Sequence, residues 1–273
     1  MTNALAFDRY CAEIIEQTRL LRDTLKSAGL DSRVPTCPEW TLRDLAVHVG
    51  DGHRRAAELV RTRATSSIRA DDIPGCGGPA DLPEAAVAPG AYVEALSTWL
   101  SESAQLVSDE LRVAGEESPA WTFAGEHRAA FWARRRTHET LVHRADAALA
   151  AGAGFDASPG LTADCMDELL ELAAAPEASA KWPALRTLAE RAGDTLHLHA
   201  TDTSRTVAAE WLIRIEEDGF TWTRTHEKAT TAVRGPLTDL FLVLFRRLAP
   251  AESRSEVLGD AGLLEFWLER VRF

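Results

Sequence analysis

Cysteine is scarce in this chain, four in 273 residues, and Cys11, Cys37, Cys76 and Cys165 form neither a C-x-x-C pair nor a zinc-ribbon spacing. A disulfide framework is therefore not expected, in keeping with a reducing compartment. Basic charge is also in deficit. With 30 Lys and Arg against 42 Asp and Glu, the formal charge is −12, whereas phosphate neutralisation needs a basic face, so neither nucleic acid nor an anionic membrane is expected as a partner. No apolar run approaches the roughly 20 residues of a membrane span, and Met1-Thr2-Asn3-Ala4 leads into an amphipathic pattern without a basic n-region or apolar h-region. A cytoplasmic protein is expected.

What the chain has in quantity is helical periodicity in its first half. Phe7, Tyr10, Ile14, Ile15, Leu21 and Leu25 mark a first helix that Gly29 can end. A second is expected from about Leu42 to Arg63, a third through Tyr92, Leu96, Trp99, Leu106 and Leu111, and a fourth from about Glu126 to Ala151, stopped by Gly152 and Gly154. The segment 65–90, rich in Ala, Asp, Pro and Gly, reads as a long connection. Within it, Pro74-Gly75-Cys76-Gly77-Gly78-Pro79 would place Cys76 on a flexible loop. That thiol is reactive only if a base or metal lowers its pKa. Cys37 reads most simply as a small apolar residue.

The fourth helix contains Thr137-His138-Glu139-Thr140-Leu141-Val142-His143-Arg144-Ala145-Asp146. Residues four apart on a helix stand one turn above each other, with Cβ atoms roughly 5–6 Å apart, so Glu139 and His143 can converge on one cation. His138 and His143 are five apart, about 140° around the axis, and cannot share a metal while the helix holds. The zinc-protease pattern H-E-x-x-H is therefore absent. Taken alone, Glu139 and His143 read more simply as an ordinary i,i+4 pair on a solvated helix. A second segment changes the balance. In Pro35-Thr36-Cys37-Pro38-Glu39-Trp40-Thr41-Leu42-Arg43-Asp44-Leu45-Ala46-Val47-His48-Val49-Gly50, Thr41 and Asp44 resemble a capping box that opens a helix, and His48 lies beside Leu45 and Val49, facing inward or nearly so. Alone it would read as a core histidine.

Together the runs C-P-E-W-T-x-R-D-L-x-x-H-V-G and R-x-H-E-x-x-x-H-R-x-D-A resemble the two signatures of the mycothiol-dependent maleylpyruvate isomerase family. The resemblance implies a DinB-like four-helix bundle in which one histidine of the first run and the glutamate and histidine of the second hold a metal: His48, Glu139 and His143. Three protein ligands leave a tetrahedral ion one open position, the mark of a catalytic site. The expected ion is Zn2+ or another divalent metal, and the expected thiol cosubstrate is mycothiol. An isomerase would add the thiolate to a cis enedioate such as maleylpyruvate, allow the single bond to rotate, and eliminate the trans product; a transferase would release the conjugate. A zinc-binding regulatory protein, or a non-haem iron enzyme using the same triad, are the other readings. Arg43, Arg134, Arg135 and Arg136 could meet a carboxylated substrate or simply solvate helix surfaces.

After Ala157 the pattern changes. Helices are expected around Leu161 to Ala174 and Pro183 to Arg191, strands over Thr195 to Thr201, Ala208 to Glu216, Phe220 to Thr225 and Ala229 to Val233, a hairpin turn at Glu217-Asp218-Gly219, an apolar helix from Pro236 through Leu248, and a last helix from Gly262 to Val271. His197 and His199 share a strand face, either a metal site or a solvated face opposite Leu196 and Leu198. The run Arg234 to Leu240, the Leu-rich helix ending at Arg247, and Gly259-Asp260 resemble the family's sterol-carrier-like C-terminal domain. The resemblance implies a substrate-facing arginine there, Arg247 ahead of Arg246. The whole is thus expected to be α+β and mainly α: a bundle over 1–156 and a small α/β domain with an antiparallel-rich sheet over 157–273.

Overall fold

The computed structural model describes residues 4–80, 89–204 and 206–272. It divides into two compact units, one comprising Ala6–Phe155 and the other built mainly from Asp156–Phe273. Of the 65–90 connection, residues 81–88 lie outside the described residues. The part before them contains a 3-10 turn at Ala70–Asp72 and is tied to the second helix, where Asp51 accepts the Gly77 N–H at 2.8 Å.

The first unit is a four-helix bundle of α1 (Phe7–Ser27), α2 (Leu42–Arg61), α3 (Pro89–Ala114) and α4 (Ala129–Ala151). α1 packs on α3 and α4, and α2 on the same two. Leu21, Leu25, Leu45, Val49, Leu96, Trp99 and Leu100 fill one end of the core. Thr41 caps α2 with a full capping box: its hydroxyl accepts the Asp44 N–H while Asp44 accepts from the Thr41 N–H, an arrangement that satisfies two otherwise orphaned donors. Gly152 ends α4 at φ 63°, a left-handed conformation that glycine adopts without penalty. Residues 33–41, where the sequence analysis expects no strand, form a small antiparallel hairpin of β1 (Arg33–Val34) and β2 (Cys37–Thr41) ahead of the cap. Its few residues and Pro38 gave no period-two signal to find it by.

The second unit has a five-stranded sheet in the order β5-β4-β3-β6-β7, with β3 (Thr195–Ala200), β4 (Glu210–Glu216), β5 (Gly219–Thr223), β6 (Thr231–Gly235) and β7 (Glu256–Gly259). All pairs are antiparallel except β3 with β6. The edge strand β7 was missed because Ser255-Glu256-Val257-Leu258-Gly259 is too short and too polar to alternate clearly. α5 (Pro159–Ala174), α6 (Ala178–Lys181), a 3-10 segment at Pro183–Arg191, α7 (Leu237–Leu244) and α8 (Ala261–Arg270) complete the unit. Trp211 stands opposite Leu198 in the ladder and donates its indole N–H to Asp167 of α5 at 2.6 Å, so α5 covers the Leu198 face. The opposite face is not simply solvated, as alternation with Leu196 and Leu198 had suggested: His197 is buried, 5% exposed.

The apolar helix expected through Leu248 stops at Leu244. Arg246 takes φ 63°, the Arg246 N–H donates to Val243 O and the Arg247 N–H to Leu242 O at 2.9 and 2.6 Å. This is the paired hydrogen-bond pattern of a Schellman termination, with arginine where glycine is usual.

Candidate metal centre

α4 carries a dense load of buried polar side chains: Arg136, Thr137, His138, Thr140, His143, Arg144 and Asp146. Burying them requires partners, and the partners define the site. Glu139 Oε1 lies 3.1 Å from His48 Nε2 across the α2–α4 contact, and the His143 ring stands edge-on to His48 with centroids 4.9 Å apart. Donor atoms of His48, Glu139 and His143 all lie within 4.8 Å of one another. Tetrahedral zinc ligands at about 2.0–2.1 Å from the ion would stand roughly 3.4 Å apart, so inward shifts of the order of an ångström close the set.

Two of the three donors, His143 and Glu139, are prepared by a neighbour. His143 Nδ1 lies 2.9 Å from Asp146 Oδ2, and Asp146 Oδ1 accepts the Thr36 hydroxyl at 2.5 Å. A carboxylate only accepts, so the proton sits on Nδ1 and the Nε2 lone pair of His143 is left for a ligand. Burial lowers the pKa of His143 and the Asp146 contact opposes that shift, with a net downward result. Burial alone would raise the Glu139 carboxyl. Arg136, the His48 contact, Arg135 and His143 together outweigh it and hold the group well below the usual carboxylate range. Arg136 Nη1 stands 2.7 Å from Glu139 Oε2, which leaves Oε1 turned to His48. The site therefore presents an anionic carboxylate and a neutral imidazole near neutral pH.

Arg136 is itself fixed. It is 2% exposed and donates to Val49 O at 3.1 Å and to His53 Nδ1 at 3.4 Å. The space for it exists because position 52 is glycine: a Cβ there would sit 2.4 Å from the guanidinium. Trp40 of β2 walls the other side, 4.8 Å from the His48 ring and 6.2 Å from that of His143. His48 retains 40% side-chain exposure, so it is reached from solvent more than its apolar neighbours in sequence suggested. His138 stands outside the cluster, packed edge-on against Tyr10 at 5.8 Å. Arg43 pairs with Asp31 at 2.7 Å and covers the Tyr92 ring.

Two features of this site escaped the reading of the sequence. Asp146 was visible within H-R-x-D, three residues beyond His143 on the same helix face, and that spacing is the signal that would have found it. Arg136 is one of three adjacent arginines in the sequence, and only packing separates it from Arg134 and Arg135. Arg246 and Arg247 lie in the turn after α7, Arg246 exposed and Arg247 half-buried with its Nη1 donating to Phe245 O at 2.6 Å. The Cys76 thiol is pushed up to about 11, first by burial and then by Asp51. That is the reverse of activation.

A histidine–glutamate donor set on facing helices of a four-helix bundle, followed by a small α/β unit, is the architecture of a two-domain metal-site bundle protein. The chain belongs to the mycothiol maleylpyruvate isomerase family: the model of that family's N-terminal domain matches residues 11–148, and that of its C-terminal domain residues 160–266. By that membership it is a thiol-dependent enzyme of the isomerase class. Two crystal structures of mycothiol-dependent maleylpyruvate isomerase, one of them of a histidine-to-alanine mutant, share the fold. Each covers 96% of this chain and 97% of the other with a TM-score of 0.58, at 17% and, for the mutant, 15% identity. No curated protein matches the chain. Among the described residues, no helix is long and apolar enough to cross a membrane.

Proposed function

We propose that the chain is a mycothiol-dependent isomerase of maleylpyruvate-type cis enedioates, with one divalent ion, zinc first among the choices, held by His48, Glu139 and His143. The observation that carries this reading is the convergence of one anionic carboxylate and two imidazoles within 4.8 Å, with the His143 Nδ1–H donated to Asp146. Bound there, the ion would lower the pKa of a thiol in its open coordination position and so supply a thiolate near neutral pH. Asp146 fixes the tautomer and plane of His143. Arg136 keeps Glu139 ionised and directs Oε1 toward His48. Trp40 excludes water from one side of the imidazoles. In the α/β domain, 157–273, Arg247 ahead of Arg246 is assigned to hold a substrate carboxylate, for which a planar guanidinium is suited. S-transfer to a related electrophile would use the same centre in the bundle, 1–156. A cytoplasmic setting, where thiols are kept reduced, belongs to the same reading.

Cobalt-substituted protein tests the centre. Addition of mycothiol should produce a sulfur-to-cobalt charge-transfer band, and alanine at His48, Glu139 or His143 should each lower metal content while the bundle stays folded. Full metal content in all three variants, or a spectrum indifferent to saturating thiol, would remove the assignment.

A further inference from the structure

The α/β unit gathers a second set of donors that the chemistry above does not use. In the β3–β4 ladder His199 stands directly opposite Glu210, and His197, two residues earlier, lies on the same face. His226, on the segment after β5, reaches the same point. His199 Nδ1 is 2.9 Å from Glu210 Oε1, and His226 Nδ1 is 3.1 Å from Glu210 Oε2. The three rings meet edge to face, with centroids 5.2 to 5.9 Å apart. Ligand atoms from all four residues lie within 4.8 Å of one another.

A simple hydrogen-bonded cluster accounts for His199 and His226, each of which has its own oxygen of Glu210. It does not account for His197. This side chain is 5% exposed, its Nε2 lacks a hydrogen bond, and Glu210 Oε2, at 3.7 Å, is beyond hydrogen-bond reach. A buried imidazole nitrogen without a partner is costly and demands an explanation. A cation in the middle of the four residues supplies one, because it would accept the lone pair of His197 together with those of its neighbours.

We propose that His197, His199, Glu210 and His226 form a second metal site, separate from the one on the bundle, that takes a zinc-class transition-metal ion. Three imidazoles and one carboxylate suit zinc, copper or nickel, and disfavour magnesium and calcium, which prefer all-oxygen shells. Four protein donors also fill a tetrahedral shell, the mark of a structural ion. The bundle set of three leaves a position open; this set of four does not. The ion ties the segment bearing His226 to the strands. Arg224 on that segment already pairs with Asp167, so the metal gives the segment a second anchor two residues further on.

The proposal stands independently of the function of the bundle site, and one series of full-length proteins separates them. Metal-free wild type, His143→Ala, and His143→Ala with His226→Ala are titrated with zinc by calorimetry. His226 is 73% exposed in its side chain, so its replacement leaves the fold intact; His199→Ala in the same background is the second variant. The expected result is one tight equivalent in the His143→Ala protein, weakened at least tenfold by either added substitution. With cobalt, that equivalent should give four-coordinate visible bands that mycothiol does not alter. Absence of zinc binding in the His143→Ala protein, binding unchanged by both added substitutions, or a thiol-responsive cobalt spectrum in that protein would overturn the site.

Discussion

The bundle and the α/β unit each bury a carboxylate against an arginine, with opposite results. In the bundle, Glu139 meets Arg136, Arg135 and two imidazoles, and these outweigh burial and hold its pKa well down. In the α/β unit, burial dominates Asp167 and raises it to about 6, although Trp211 and Arg224 pull the other way. The difference lies in how many cationic or donating partners surround each group relative to the water it has lost. Glu139 is thereby held ionised well below neutrality, whereas Asp167 changes its charge just below it. The donor clusters differ in parallel: three donors with an oriented histidine in the bundle, four with an unsatisfied histidine on the sheet.

The largest expected effect tests the carboxylate contrast. The folded pKa of Asp167 lies above its ordinary value of 3.8, so its contribution to stability is fully present below 3.8 and is lost as pH rises through about 6. Glu139 has the opposite sign, its contribution being present above the ordinary carboxylate value and lost only as pH falls through the depressed one. Denaturant unfolding from pH 7 to pH 4 should therefore show a gain from Asp167 of about 2 kcal/mol. Asp167→Asn should flatten that slope. If the variant kept the full slope, the contrast between the units would not rest on these carboxylates.

Removing the orientation of His143 comes next. Asp146→Ala should lower metal affinity of the bundle site about 10- to 100-fold while leaving all three donors in place. Competition against a chromophoric chelator reads this directly, and an unchanged affinity would reduce Asp146 to a packing role.

Arg247→Ala should lower kcat/KM on a carboxylated electrophile about tenfold or more, a charge-assisted contact being worth roughly 1.5–3 kcal/mol, with no change in metal content. Equal turnover in the Arg247→Ala and Arg246→Ala proteins and in the wild type would take the α/β unit out of the chemistry. The smallest effect concerns the left-handed turn. Arg246→Gly relieves a conformation that disfavours side chains and should stabilise the unit by about 0.5–1 kcal/mol. A Tm that fell instead would show that the arginine contributes contacts exceeding its backbone strain.

Most of the architecture was legible because its elements are long and strongly periodic. The bundle helices were placed within a few residues at their ends, and four of the sheet's strands by alternation. The β1–β2 hairpin and β7 were not, since segments of two to five residues with proline, serine or glutamate carry too little pattern to distinguish from loop. α7 ran too long for a different reason: Phe245 and Leu248 continue the apolar run, but Arg246 takes a left-handed conformation that no sequence rule assigns to arginine. At the site, the i,i+4 spacing placed Glu139 and His143 on one turn, and His143 and Asp146 were readable as an i,i+3 pair.

The sequence by itself determined the helical half, the alternating half and which residue types were available to bind a metal, because local periodicity and side-chain chemistry are properties of neighbours along the chain. Only the tertiary structure decided which donors meet. His48 and Glu139 are separated by 91 positions, and Glu210 and His226 by 16, so their convergence depends on how helices pack and strands register. The same packing chose Arg136 from three adjacent arginines by giving it the space at Gly52, and turned His197 from a solvated face into a buried nitrogen in need of a partner. Those outcomes follow from excluded volume and desolvation, which act only once distant segments are brought together.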